Sequence, residues 1–423
     1  GRGPGIFQNY VSQVEQPLNT TGNPARRMQI VTLWGTGLGP ISAPDSMPPP
    51  AGDLPVNVEI YVGGKLAKKL YSGRAPCCAG VDQIVFEIPA DAPLGCYVPV
   101  QVKVAEVTSN PITIALSDGG RCTDPGNPFG DLVTRGGKTG ILVLARISAL
   151  AAVEAGEPPL DLTLDLGGAL FVEQRAGGDL GYNPALSLPP LGTCTSFTGS
   201  LDASALLGSA TGGDTSSLTP DARWLNAGPT ITLTGARGAI PLNPADEDKG
   251  GSPYIGLLGG SIPLPGAPSL PLFLETGSYT ISGPGGPDVG AFSSNFSIPG
   301  PITWTNRDAL TEINRRAPLT FTWSGGDPNR QSVLLAGAST DQTTKASAGF
   351  FCLVPANTGQ FTVPASVLES LPATPGTNLE ESAGALIFAS VPAGTDTPKF
   401  SAPGIESGMV LNGSLSLRTV SVR

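Results

Sequence analysis

Gly95-Cys-Tyr-Val-Pro-Val-Gln-Val-Lys-Val104 decides the fold class. Val98, Val100, Val102 and Val104 fall on one side of a period-two ladder, and Tyr97, Gln101 and Lys103 on the other, the pattern of a strand with one buried face. The valine side is expected in a core. A tight turn at Ala105-Glu106 returns the chain through Val107 to Leu116. Upstream, Gln83 to Ile88 ends at Pro89, Val56 to Val62 turns at Gly63-Gly64, and Met28 to Trp34 runs into Gly35-Thr-Gly-Leu-Gly-Pro40. Short alternating segments closed by Gly, Pro, Asn and Asp predict an all-β protein of tandem antiparallel β-sandwich domains, immunoglobulin-like in plan.

Downstream, the Gly- and Pro-rich stretch from Asp118 to Gly130 reads as a linker. The expected layout is a sandwich over 1–118, a linker over 119–130, a β-rich middle domain over 131–300 and a C-terminal sandwich over 301–423. The middle segment offers Gly140 to Val153, Leu160 to Glu173, Thr230 to Thr234 and Ser278 to Ser282 as strands. Its long loops, Thr198 to Asp221 and Asn243 to Pro253, are where surface contacts are expected. After Pro299-Gly-Pro301, six strand candidates follow, from Leu319–Trp323 to Leu415–Val422, and Ala365 to Leu371 alone suggests a helical turn.

Composition narrows function. The 423 residues include 57 Gly and 43 Pro, about a quarter of the chain, which excludes long-helix architectures. Histidine is absent, so imidazole bases, Ser-His-Asp and Cys-His constellations and His-ligated metals are excluded. A net charge of -10 without a basic cluster beyond Lys65, Lys68 and Lys69 argues against nucleic acid as a partner. The longest apolar run, Ile141 to Val153, is interrupted by Arg146 and is too short to span a bilayer. The chain opens with Gly1 and shows no leader, so a processed product is expected. Six cysteines and few lysines favour an extracellular or cell-surface location. Asn19, Asn295 and Asn412 occupy Asn-x-Ser/Thr sequons, a pattern that Ser/Thr-rich chains also acquire by chance.

From Gln8 to about Phe129 the ordered motifs Ile30-Val-Thr-Leu-Trp-Gly-Thr-Gly-Leu-Gly-Pro40, Val58 to Gly64, Asp82-Gln-Ile-Val-Phe-Glu-Ile-Pro89 and Gly95-Cys-Tyr-Val-Pro-Val100 resemble the immunoglobulin-like IPT/TIG class. They are most similar to the variant repeated in large secreted proteins of acidobacteria and their relatives. Gly277-Ser-Tyr-Thr-Ile-Ser-Gly-Pro-Gly-Gly286 and Thr320-Phe-Thr-Trp-Ser-Gly-Gly-Asp327 resemble the β-rich C-terminal region that accompanies such domains. The resemblance implies a secreted β-sandwich protein with a structural or binding role, and it carries no catalytic residues.

Strand order suggests how the cysteines pair. In an antiparallel pair the start of one strand faces the end of the next, so Cys96 is expected near Cys122, which follows Leu116. By the same logic the start of the Gln83 strand lies opposite the far end of the Tyr97 strand, which puts Cys77 and Cys78 roughly 20 Å from Cys96, beyond the roughly 7 Å that a disulfide allows between Cα atoms. Cys77 and Cys78 are then bonded to each other, bonded to the remaining cysteines, or free. The first option leaves Cys194 with Cys352. No C-x₂-C spacing marks a zinc site.

Other motifs read as ordinary structure. Gly136-Gly-Lys-Thr139 resembles the end of a phosphate loop, but Leu132 stands where its first glycine must be. Asp161 and Asp165, four apart on a strand, lie about 13 Å apart and are expected on a solvated face, not as a glycosidase pair. Asp246 to Gly250 and Asp124 to Asp131 lack EF-hand spacing, and no metal or cofactor is expected. Trp34, Trp304 and Trp323 are expected in cores. The function anticipated is a secreted, non-enzymatic structural protein that self-associates into an extracellular fibre or surface layer. The alternatives are an adhesin that binds glycans or other surface components and, more remotely, a carboxylate-dependent hydrolase.

Overall fold

The structure is a computed structural model. It describes residues 3–41, 52–78, 80–151, 160–183, 186–199, 223–246, 251–261, 269–327, 329–341, 343–374, 376 and 384–423. The protein is all-β and its strand pairing is predominantly antiparallel, as the alternation and turn spacing predict.

The first sandwich has two sheets. One runs Phe7–Asn9, Ile30–Gly35, Asp82–Glu87, Lys68–Arg74, all antiparallel. The other places Val58–Val62 beside Gly95–Val104, whose opposite edge takes Ile112–Leu116. Between them lies one core that includes Phe7, Val31, Ile60, Phe86, Val98 and Val100. Gly63 and Gly64 take positive φ at the predicted turn (57° and 79°), and Ala105 does the same at the next one (52°). Two expectations are corrected here. The Gln83 strand is not beside the Tyr97 strand: the two belong to opposite sheets and face each other across the core. Tyr97 is not on a solvated face; it is 1% exposed because its ring meets Tyr182 edge-on at 5.8 Å and its hydroxyl donates to the carbonyl of Gly181.

The stretch expected as a linker is packed. Asn127 is buried and donates to the carbonyl of Leu186, Cys122 is bonded to Cys96, and Gly130–Arg135 forms a short helix that local sequence did not suggest. The four-residue helix Ala365–Leu368 lies where one was expected.

One sheet path runs through both remaining segments. In order it carries Thr193–Thr198, Ser347–Pro355, Gln331–Thr340, Gly384–Pro392, Ser407–Val422, Gly137–Ala151, Leu160–Gln174, Tyr254–Gly260, Gly238–Pro244, Ile231–Gly235, Gly277–Gly283 and Phe292–Ile298. Along it only Gly137–Ala151 and Ser407–Val422 pair in parallel, over twelve positions from Thr139↔Ser407 to Leu150↔Arg418. Backbone pairing therefore crosses the joint expected near Pro299–Pro301. The apolar side chains nevertheless divide into two main cores. Leu142, Phe171, Leu233, Tyr254, Tyr279 and Phe400 share one. Because Ile231–Gly235 and Gly137–Ala151 are distant along the path yet share that core, the sheet curls back on itself. The second core is covered by a small sheet of Ile302–Trp304, Leu319–Gly325 and Gln360–Val363. Trp304 and Trp323 lie inside it, with Trp304 stacked 5.3 Å from Phe321 and 5.8 Å from Phe388. Trp34 is half-buried on the outer face of its sheet, because Val31 and Leu33 take the inward positions, and its indole donates to Gln8 Oε1 at 2.7 Å.

Candidate functional site

The first strand, Phe7–Asn9, forms an edge of its sheet, and the local sequence folds a hairpin over it. Asn9 N–H donates to the carbonyl of Pro17 at 2.9 Å and Asn19 N–H to that of Phe7 at 2.8 Å, with a turn closed by Val11 N–H to Glu15 O at 3.1 Å. The inward residues are satisfied. Asn19 Nδ2 donates to Asn9 Oδ1 and to the carbonyl of Ala115, and its Oδ1 accepts from Ala115 N–H. Large apolar side chains are exposed on this hairpin and beside it, interspersed with exposed Gln13 and Glu15: Ile6 (62% exposed), Val11 (54%), Val14 (96%), Leu18 (42%) and, on the following turn, Met28 (57%). Met28 also holds a φ of 63°, a region that L-residues enter at a cost of roughly 1–3 kcal/mol. Apolar side chains gathered on a sheet edge are the pattern of an interaction surface.

The cysteines are all bonded. Cys96 and Cys122 (Cα–Cα 5.3 Å) join because Gly95 pairs with Leu116, which brings the start of one strand to the end of its neighbour. Cys194 and Cys352 (4.0 Å) are direct cross-strand partners. Cys77 and Cys78 are bonded to each other in the exposed turn before Asp82–Glu87.

The sequons differ. Asn19 and Asn412 are 4% exposed, so the folded chain presents neither for glycosylation; Asn295 is exposed on Phe292–Ile298, where its Oδ1 accepts from Thr280 Oγ1. Asp165 is fully buried, not solvated as expected. It stands directly opposite Arg146 in the antiparallel ladder, and Arg146 Nε donates to its Oδ1 at 2.8 Å and Nη2 to its Oδ2 at 2.9 Å. The amides of Phe273 and Leu274 each donate to Oδ2 at 2.7 Å. Donation to the Asp165 carboxylate holds the Arg146 guanidinium above its ordinary pKa. Asp161 is exposed, so the two carboxylates do not face one reaction site.

Asp124, the first residue of the stretch without EF-hand spacing, carries no local signal of the environment it occupies. Its Oδ1 accepts from Cys96 N–H at 2.8 Å, while Oδ2 is sealed from solvent without a partner. Burial pushes this carboxyl up to about 6. Among the described residues no group of three or more His, Cys, Asp or Glu side chains could hold a metal ion. Residues 200–221 and 247–250 of the two long loops lie outside the described residues.

Among the described residues no helix is long and apolar enough to cross a membrane. These features define an all-β protein of antiparallel, disulfide-bonded sandwiches. No known family profile matches the chain, and no curated protein matches it. Solved structures with some similarity include the titin I9–I11 tandem (9% identity over 92% of this chain and 95% of that one, TM-score 0.12). The titin I-band fragment I67–I69 matches at 7% identity over 94% of each chain, also with a TM-score of 0.12. Dimeric latent PorU from Porphyromonas gingivalis matches at 12% over 97% of this chain and 34% of that one, with a TM-score of 0.16. At such TM-scores the fold assignment rests on the strand ladders described above.

Proposed function

We propose that this protein is a secreted structural subunit that associates with copies of itself, through the N-terminal hairpin edge, to build an extracellular fibre or surface layer. The observation that carries this reading is the exposure of Ile6, Val11, Val14 and Leu18 on and beside the hairpin that covers the edge strand of the first sandwich, with Met28 exposed on a following turn. An exposed apolar edge favours pairing with another chain. Three disulfides suit an oxidising extracellular setting. The motifs resembling IPT/TIG domains support the same reading. In it, residues 1–118 form the associating unit, 119–130 fasten it, and 131–300 and 301–423 form a body held by one continuous sheet.

Electron microscopy of the purified chain tests the reading. Filaments or ordered layers are expected at high concentration, and the Val11→Lys/Val14→Lys variant is expected to remain single particles. Single particles of the unaltered chain at every concentration would overturn it.

A further inference from the structure

The two cores of the large sheet leave a seam between them. Leu144 and Val410 belong to one core, and Leu386 and Val420 to the other. On the sheet face between them the parallel register sets Arg146 opposite Ser414 and Leu144 opposite Asn412. Ser414 reaches the next strand through Ser390, hydroxyl to hydroxyl at 3.0 Å. This polar row forms the floor of a cavity of about 260 Å³, with Ile298 to Pro301 as its wall and Gln331 at one side.

Several polar groups here have no protein partner among the described residues. Asn412 is 4% exposed and neither its amide oxygen nor its nitrogen is hydrogen-bonded. Gln331, also 4% exposed, accepts from Asp327 N–H through Oε1, which leaves Nε2 over. Arg146 uses Nε and Nη2 on Asp165 and the carbonyl of Leu274, which leaves Nη1. These atoms are not sealed inside the protein: their residues line the cavity, and a ligand that enters it must meet their hydrogen-bonding needs.

Charge and size narrow what it is. The cation of Arg146 is matched by Asp165, and Glu275 at the rim is matched by Arg237, so the cavity favours neither an anion nor a cation. Asn412 offers a donor and an acceptor side by side, the complement of two neighbouring hydroxyls. The volume exceeds the ~30 Å³ share of one water and falls just below the roughly 300–1,000 Å³ range of drug-sized ligand sites, which suits a smaller ligand. The geometry points to a binding site for one neutral pyranose unit of a glycan. Asn412 spans two ring hydroxyls, Arg146 Nη1 and Gln331 Nε2 donate, and Leu144 and Ile298 cover the C–H face. This site stands apart from the hairpin edge and does not rest on self-association.

Titration calorimetry and ligand-observed NMR on the full chain, with methyl α-D-glucopyranoside, methyl α-D-mannopyranoside and methyl β-D-galactopyranoside as probes and sodium acetate as the anionic arm, test it. Saturable binding of at least one glycoside is expected, weakened tenfold or more by Asn412→Leu and by Gln331→Leu and not displaced by acetate. If Asn412→Leu fails to fold by circular dichroism, Gln331→Leu decides alone. Binding of acetate without any glycoside, binding of none, or glycoside binding that a folded variant leaves unchanged would overturn the assignment. None of those results bears on filament formation.

Discussion

At the junction between the first sandwich and the rest of the chain, contact is made by loops and side chains. Tyr97 lies against Tyr182, Arg121 pairs with Asp179, and the Cys96–Cys122 bond and Asp124 sit beneath Pro190. At the second junction, near residue 300, the backbone itself continues. Ser407–Val422 supplies Val410 to one core and Val420 and Val422 to the other, pairing with Gly137–Ala151 from Ser407 to Arg418 and with Gly384–Pro392 up to Val420. A docked junction can yield locally, whereas a shared sheet yields only by breaking a ladder of hydrogen bonds in both halves. The shared sheet is therefore expected to make the two cores of the body unfold together, with the first sandwich docked beside them as a head.

The largest expected effect tests the body. Cys194–Cys352 closes 158 residues and ties a strand of the middle segment to the C-terminal half of the sheet. Loop-closure entropy assigns such a bond about 5 kcal/mol. Cys194→Ser/Cys352→Ser is expected to lower the urea-unfolding free energy by that order while leaving a single transition. Two separated transitions would show that the shared sheet does not couple the cores.

Next comes Arg146→Leu, which strands the fully buried Asp165 carboxylate. Removing one partner of a buried pair costs roughly 3–5 kcal/mol. Arg146→Leu/Asp165→Asn is expected to recover part of that loss, because a neutral amide still accepts from Phe273 and Leu274. No recovery in urea unfolding would mean that Arg146 acts through packing and not through charge.

Asp124 tests the docked junction through pH. Its folded-state value of about 6 lies above the ordinary 3.8, so protonation favours the folded state. That contribution is complete below 3.8, fades as pH rises through about 6, and is gone above it. Roughly two units correspond to ~3 kcal/mol. Asp124→Asn keeps an acceptor for Cys96 N–H and is expected to stabilise the protein by up to ~3 kcal/mol at pH 8 and by almost nothing at pH 3.5, read from melting curves. Equal effects at both pH values would show that charge burial at Asp124 is not what limits the junction.

The contrast between the junctions also explains what could be read in advance. Val98, Val100 and Val102 announce their core face through period two, and Gly63-Gly64 announces its turn, because both signals are local. Period two says which face is buried but not which sheet a strand joins, so Asp82–Glu87 could be placed beside Gly95–Val104 when it lies across the core from it. The parallel ladder joins Ser148 to Ser416, 268 residues apart, and nothing within either strand encodes that partner. Tyr97 and Asp165 were misplaced for one reason: segments distant in sequence, around Gly181 and Leu274, come down over faces that their own strands mark as polar. Cys96–Cys122 was legible because its geometry follows from neighbouring strands, whereas the seam cavity, made by residues from six separate stretches, was not.

The smallest effect belongs to Cys77–Cys78, inside the head and away from both junctions. Adjacent residues close almost no loop, so the bond removes little freedom from the unfolded chain. Both residues are exposed, and no core contact is lost with them. Cys77→Ser/Cys78→Ser is expected to change stability by less than about 0.5 kcal/mol, against about 3.5 kcal/mol for Cys96→Ser/Cys122→Ser, whose bond spans 26 residues. A loss above about 2 kcal/mol from the adjacent pair would mean that its turn fixes the register between Lys68–Arg74 and Asp82–Glu87. The stability of the head would then depend on that hairpin more than on the bond that anchors it to the body.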